Sequence, residues 1–115
     1  MQWTIYPTIE RAKLNHAQMN EDEVVSVIVD MNSEVTRLST SVSTATWTTE
    51  RGNLSIGSKA LSSNVATAQF TAPNLETALV KLVLTLADGQ KFNVFWEIRI
   101  RDPIVNPTAN IFGVP

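Results

Sequence analysis

The 115-residue chain contains no cysteine. Disulfide cross-links, thiol nucleophiles and thiolate zinc sites are therefore excluded. Charge is also scarce. Asp, Glu, Lys and Arg make up 17% of the residues, against about 25% in an ordinary globular domain. The formal net charge of −2 offers no basic field for a nucleic acid backbone. Gly52, Gly57, Gly89 and Gly113 are too dispersed to form a phosphate-cradling loop. No apolar run approaches the roughly 20 residues that span a bilayer; the longest, Ala78 to Ala87, carries Lys81 and Thr85. The N-terminal stretch MQWTIYPTIERAKLN has no basic segment followed by an apolar one, so it does not read as a secretory signal. The expectation is a soluble chain with no membrane and no nucleic-acid partner.

Helix signals are few. Asn20 to Glu23 can start a helical turn, but the β-branched run Val24 to Val29 follows at once and favours a strand. Leu75 to Ala78 gives way to a strand pattern in the same manner.

Strands and turns fill the rest. Gln2 to Tyr6 reads as a first strand stopped by Pro7, and Thr8 to Leu14 as a weak second. Glu23 to Met31, Val42 to Thr49, Asn53 to Ile56, Val65 to Thr71, Leu79 to Leu86 and Phe92 to Arg101 follow. The last alternates most clearly: Phe92, Val94, Trp96, Ile98 and Ile100 share one face, and Phe95 is the exception on the other. Asp88-Gly89 marks a hairpin and Arg51-Gly52-Asn53 another turn. This spacing predicts an all-β sandwich of two antiparallel sheets, occupying 1–102 with its core in 22–102 and an N-terminal extension in 1–21.

After Asp102 the character changes. The stretch DPIVNPTANIFGVP is punctuated by Pro103, Pro107 and Pro115, yet carries Ile104, Val105, Ile111, Phe112 and Val114. Residues 103–115 read as an extended C-terminal arm. A freely solvated tail is normally polar, so an apolar one points to a surface that holds it.

The stretch TATWTTERGN, Thr44 to Asn53, places one of three tryptophans on a strand whose other face is threonine. Trp47 reads as a core residue that sets the spacing of the two sheets, with a surface-binding aromatic as the alternative. Together with Ala66-Thr67-Ala68-Gln69-Phe70-Thr71-Ala72-Pro73, the run Leu79 to Leu86 and the turn Ala87-Asp88-Gly89, it resembles the bacterial and phage immunoglobulin-like modules of the polycystic-kidney-disease-like (PKD-like) type. The resemblance covers roughly residues 22–102. It implies an immunoglobulin-like sandwich and carries over no catalytic residues. A small lone module with extra arms looks like a virion protein of a bacteriophage.

Candidate chemistry is sparse. His16, the only histidine, lies in Asn15-His16-Ala17-Gln18, which reads as a polar loop. Glu21-Asp22-Glu23 with Asp30 lacks the glycine turn of a calcium loop and reads as a solvated turn. Ser58, Ser62 and Ser63 have no histidine near in sequence and no nucleophile-elbow glycines. Glu97, Arg99, Arg101 and Asp102 read as cross-strand ion pairs or as a contact for a partner protein. Trp3 and Tyr6 either complete the core or anchor a partner.

The expectation is a non-enzymatic structural protein of a phage particle, without catalytic, metal or cofactor site. A capsid decoration protein is the first form, and a neck, tail, baseplate or fibre part the second. Its partners would be neighbouring virion proteins, namely the major capsid protein or tail and neck proteins, or further copies in a homo-oligomer. It would assemble in the host cytoplasm. The contact residues would be Trp3, Tyr6, Arg99, Arg101, Ile104, Val105, Ile111 and Phe112. The rival is a carbohydrate- or surface-binding module, which requires exposed coplanar aromatics where the first reading requires Trp47 and Trp96 buried.

Overall fold

Alternation of apolar and polar residues lays down β1 (Gln2–Ile5), β2 (Lys13–Asn20), β3 (Val24–Asp30), β4 (Val42–Arg51), β5 (Ser55–Ser62), β6 (Val65–Thr71), β7 (Thr77–Leu86) and β8 (Lys91–Arg101). One short helix, α1 (Asn32–Arg37), separates β3 from β4. The computed structural model describes residues 1–8 and 13–102. The strands form two four-stranded sheets, ordered β1-β3-β6-β5 and β2-β8-β7-β4. Their inner faces pack into an immunoglobulin-like β-sandwich.

The inner strands pair antiparallel: β3 with β6, β6 with β5, β8 with β7 and β7 with β4. The N-terminal segment supplies one further edge strand to each sheet, and both join in parallel. β1 lies beside β3, with Gln2 opposite Ser26, and β2 beside β8, with Asn15 opposite Trp96.

The core follows the inward parity of each strand. Val25, Val27 and Val29 of β3, Ala66, Ala68 and Phe70 of β6, and the even-numbered residues of β7 and β8 from Ala78 to Ile100 are buried, apart from half-buried Phe92. Trp47, Phe70, Leu82, Leu84, Val94 and Trp96 all belong to this cluster. Trp96 is 1% exposed and Trp47 7%. Phe70 reaches from the opposite sheet and meets both indoles edge-on, at 5.7 Å from Trp47 and 5.9 Å from Trp96. Trp47 is thus the core residue that fixes the sheet spacing.

Three elements differ from the sequence reading. Residues 9–12 of the expected Thr8 to Leu14 strand lie outside the described residues; the second described strand runs from Lys13 to Asn20, so Asn15 to Gln18 form strand and not loop. Its inward residues include Asn15 and Ala17 alongside Met19, and its outward ones Leu14 and His16, so the apolar alternation is faint. The fifth strand extends from Ser55 to Ser62 instead of stopping at Ile56. A register shift between Gly57 and Ala60, with Ser58 at φ 49°, turns both Ile56 and Leu61 toward the core despite their opposite parity. The helix α1 at Asn32–Arg37 was not expected from the sequence. Met31, Val35 and Leu38, spaced four and three apart, pack it onto the core. Glu34, 5% exposed, receives two hydrogen bonds from the Arg37 guanidinium, at 2.7 and 3.1 Å.

Candidate interaction surface

The outer face of the β2-β8-β7-β4 sheet is built by residues of the opposite parity. β8 presents Asn93, Phe95, Glu97, Arg99 and Arg101; β7 presents Thr77, Leu79, Lys81 and Val83; β2 presents Leu14, His16 and Gln18. The register sets Phe95 between Leu14 and Lys81, and Glu97 between His16 and Leu79. Parallel pairing thus brings two distant segments side by side. His16 Nδ1 lies 3.1 Å from Glu97 Oε1, and Arg101 donates to Gln18 Oε1 at 2.8 Å. Asn15 Nδ2 donates to the Phe95 carbonyl at 3.1 Å.

His16, Gln18, Thr77, Glu97 and Arg99 border an open groove of about 580 Å³. The His16 and Glu97 side chains are 69% and 45% exposed. Water screens this pair. A second, smaller crevice of about 240 Å³ opens between the edges of β1 and β2, with Trp3, Ile5, Ala17 and Trp96 among its walls.

The candidate contact residues separate into three groups. Arg99 and Arg101 are exposed on the outer face of β8. Of Glu97, Arg99, Arg101 and Asp102, expected to make cross-strand ion pairs, Glu97 and Arg101 contact β2, the neighbouring strand, and the Arg101 contact is a hydrogen bond to the neutral Gln18 amide. Trp3 is half-buried, 6.2 Å edge-on to Phe70, and so extends the aromatic core toward the crevice. Tyr6 is 67% exposed just beyond β1. Ile104, Val105, Ile111 and Phe112 lie outside the described residues. The sequence reading did not include Leu14, His16 and Gln18 in this surface. The alternation of Leu14, Asn15, His16, Ala17, Gln18 and Met19 was the available signal, weakened by the polar Asn15 at an inward position.

No group of three or more His, Asp or Glu side chains among the described residues is placed to hold a metal ion. No helix among them is long and apolar enough to cross a membrane.

No family model matches the chain, and no curated protein does. Among solved structures, it is similar to the cysteine protease inhibitor EhICP2 from Entamoeba histolytica. The identity is 9%, with 87% of this chain and 97% of that chain covered, at a TM-score of 0.54. It is also similar to a 2,6-sialyltransferase from Vibrionaceae Photobacterium sp. JT-ISH-224, at 15% identity and a TM-score of 0.55. That match covers 80% of this chain but 18% of the transferase. A PKD domain from the KIAA 1837 protein matches at 12% identity over 86% of this chain and 89% of that one, with a TM-score of 0.49. At such identities, the first two likenesses show a shared fold.

Proposed function

We propose that this chain is a non-enzymatic structural protein of a bacteriophage particle, in the first instance a head decoration protein. A neck, tail, baseplate or fibre part is the alternative position. The observation that carries the reading is the apolar content of the C-terminal sequence beside a sandwich whose described residues already form a packed core. Its buried apolar residues run from Met19 to Ile100, and no buried side-chain polar atom among the described residues lacks a partner. The sequence beyond β8 adds Ile104, Val105, Ile111 and Phe112, apolar residues of the kind that anchor a partner contact. The open groove around His16 and Glu97 has no enclosed chamber in which to exclude water from a reaction. The low charge density supports a place inside an assembly; none of the three fold neighbours named above comes from a virion.

The carbohydrate-binding alternative loses its main support, because Trp47 and Trp96 are buried. The test is mass spectrometry of purified native particles, followed by electron microscopy. The chain is expected at fixed stoichiometry, with sandwich-shaped density on the head surface. Density at a neck, tail or fibre position would move the protein within the particle. Absence from the particle would overturn the reading.

A further inference from the structure

Of the sheet edges, one is built to accept another strand. β1 has only four residues, β5 is broken by the shift between Gly57 and Ala60, and β4 carries register shifts near both ends. β2 runs eight residues beside β8 in unbroken register. A long regular edge without bulge or proline is a template for strand addition.

The hydrogen-bonding groups that this edge leaves without a partner among the described residues follow from the pairing. The Glu21 amide donates to the Arg101 carbonyl at 2.7 Å. In a parallel pair, alternate residues turn both N–H and C=O toward the same neighbour. Asn15, Ala17 and Met19 therefore serve β8, while Leu14, His16, Gln18 and Asn20 turn theirs to the open side. Glu23 occupies those of Asn20: its Oε1 accepts from the Asn20 amide at 2.8 Å, and its own amide donates to the Asn20 carbonyl at 3.1 Å. Leu14, His16 and Gln18 remain facing outward along the edge. Beneath them opens the crevice walled by Trp3, Ile5, Ala17 and Trp96.

The C-terminal sequence contains a segment with the complementary pattern. From Pro103 to Ile111 every second residue is apolar: Pro103, Val105, Pro107, Ala109 and Ile111. Between them stand Ile104, Asn106, Thr108 and Asn110. Both prolines of the segment fall in the first set. An extended strand of this sequence loses two of five donors along one edge, at Pro103 and Pro107, and keeps all of them along the other, as suits an edge strand that pairs on one side only. In antiparallel pairing, residues that exchange hydrogen bonds lie opposite each other with side chains on the same face. Ile104, Asn106, Thr108 and Asn110 would then pair with β2 and turn outward with His16 and Gln18. Val105, Pro107 and Ala109 would turn inward to the crevice. Parallel pairing would turn the polar set into the crevice instead.

We propose that residues 104–110 of one copy add as an antiparallel edge strand to β2 of a second copy. The proposal rests on the assembly reading and deepens it by naming the contact. A second copy is favoured over the same chain. Arg101 already lies beside Asn20, so a tail folding back on its own β2 must cross the β2–β3 turn at that end of the sheet, an arrangement that connections avoid.

Two full-length variants test the parity. Thr108→Pro removes a donor from the pairing edge, while Ala109→Pro adds a proline to the edge that already carries Pro103 and Pro107. Sedimentation velocity over a concentration series reads association, and amide hydrogen exchange reads Leu14, His16 and Gln18. The wild-type chain and Ala109→Pro should associate with these amides protected. Thr108→Pro should stay monomeric, with exchange at the three amides at least about tenfold faster. Equal behaviour of the two variants, or rapid exchange of these amides in associated wild type, would overturn the proposal. A concentration-independent monomer with the amides protected would show the tail seated on its own β2, and would overturn it as well. If wild type is monomeric and unprotected yet present in purified particles, this inference fails and the assembly reading stands.

Discussion

Trp47 and Trp96 stack with ring centroids 5.4 Å apart and planes 25° from parallel, reaching toward each other across β7. Phe70 from the opposite sheet caps both edge-on. The two indoles and the phenyl ring form the centre of the sandwich, where the sheets are held apart by aromatic width. Trp96→Ala empties a site that is 1% exposed and should cost about 3–5 kcal/mol in urea unfolding. Trp47→Ala should also destabilise. Because the rings touch, the double variant should lose about 0.5–1.5 kcal/mol less than the two single losses together. Strict additivity would show that the stack contributes nothing beyond burial.

Gly52 and Gly89 both occupy the left-handed region, at φ 90° and 95°, but their surroundings differ. A Cβ on Gly89 meets nothing within 4 Å, whereas one on Gly52 would lie 2.8 Å from Glu76 Oε2. That same oxygen accepts a hydrogen bond from the Asn53 amide at 2.6 Å. Gly89→Ala should therefore cost about 1–2 kcal/mol for backbone strain alone. Gly52→Ala should cost more, since Glu76 must move and release Asn53. Thermal melts of the two variants decide the order, and a smaller loss at Gly52 would contradict this account.

The parts of the fold legible in the sequence are those where one face is uniformly apolar. β7 and β8 alternate without a break over the residues that enter the core, and the positive-φ glycines mark their turns. The antiparallel inner strands followed from that pattern. The two parallel edge strands did not, because parallel pairing needs a partner far along the chain and leaves no hairpin signal between Asn15 and Trp96. β5 was under-read because its shift moves the inward parity from Ile56 to Leu61. Helix α1 was missed because it is six residues long and its N-cap Met31 makes no side-chain cap. Its signature is only the spacing of Met31, Val35 and Leu38. Half of the candidate surface was legible for the same reason: Arg99 and Arg101 sit on the clearest strand, whereas His16 acquires its meaning from Glu97 on a strand some eighty residues away.

The pair Glu34 and Arg37 gives a third prediction. The carboxylate is 5% exposed and is met by two guanidinium nitrogens, while the Arg37 side chain is 48% exposed. Arg37→Ala leaves a buried carboxylate short of two charged hydrogen bonds. The expected loss is about 1–2 kcal/mol, the lower part of the usual range because Arg37 is partly solvated. Arg37→Lys should recover part of it, since an ammonium supplies charge but not the planar fork. Urea unfolding of the three proteins measures this. Equal stability of wild type and Arg37→Ala would mean that the carboxylate is served by its other contacts.

Removal of the tail separates folding from assembly. Among the described residues the buried apolar ones end at Ile100, and the last backbone bonds near the end of β8 are those of Ile100 with Glu76 and Arg101 with Glu21. A chain ending at Asp102 keeps all of them. It should melt within about 2–4 °C of the full-length protein at concentrations where the latter is monomeric, because a loss below about 0.5 kcal/mol moves the midpoint of a domain this size only slightly. It should nonetheless fail to enter its particle or oligomer, since Val105, Ile111 and Phe112 go with the tail. Differential scanning calorimetry reads the first half, and incorporation into particles the second. A truncated chain that unfolds as a monomer would make the tail part of the fold; one that assembles normally would remove it from the interface.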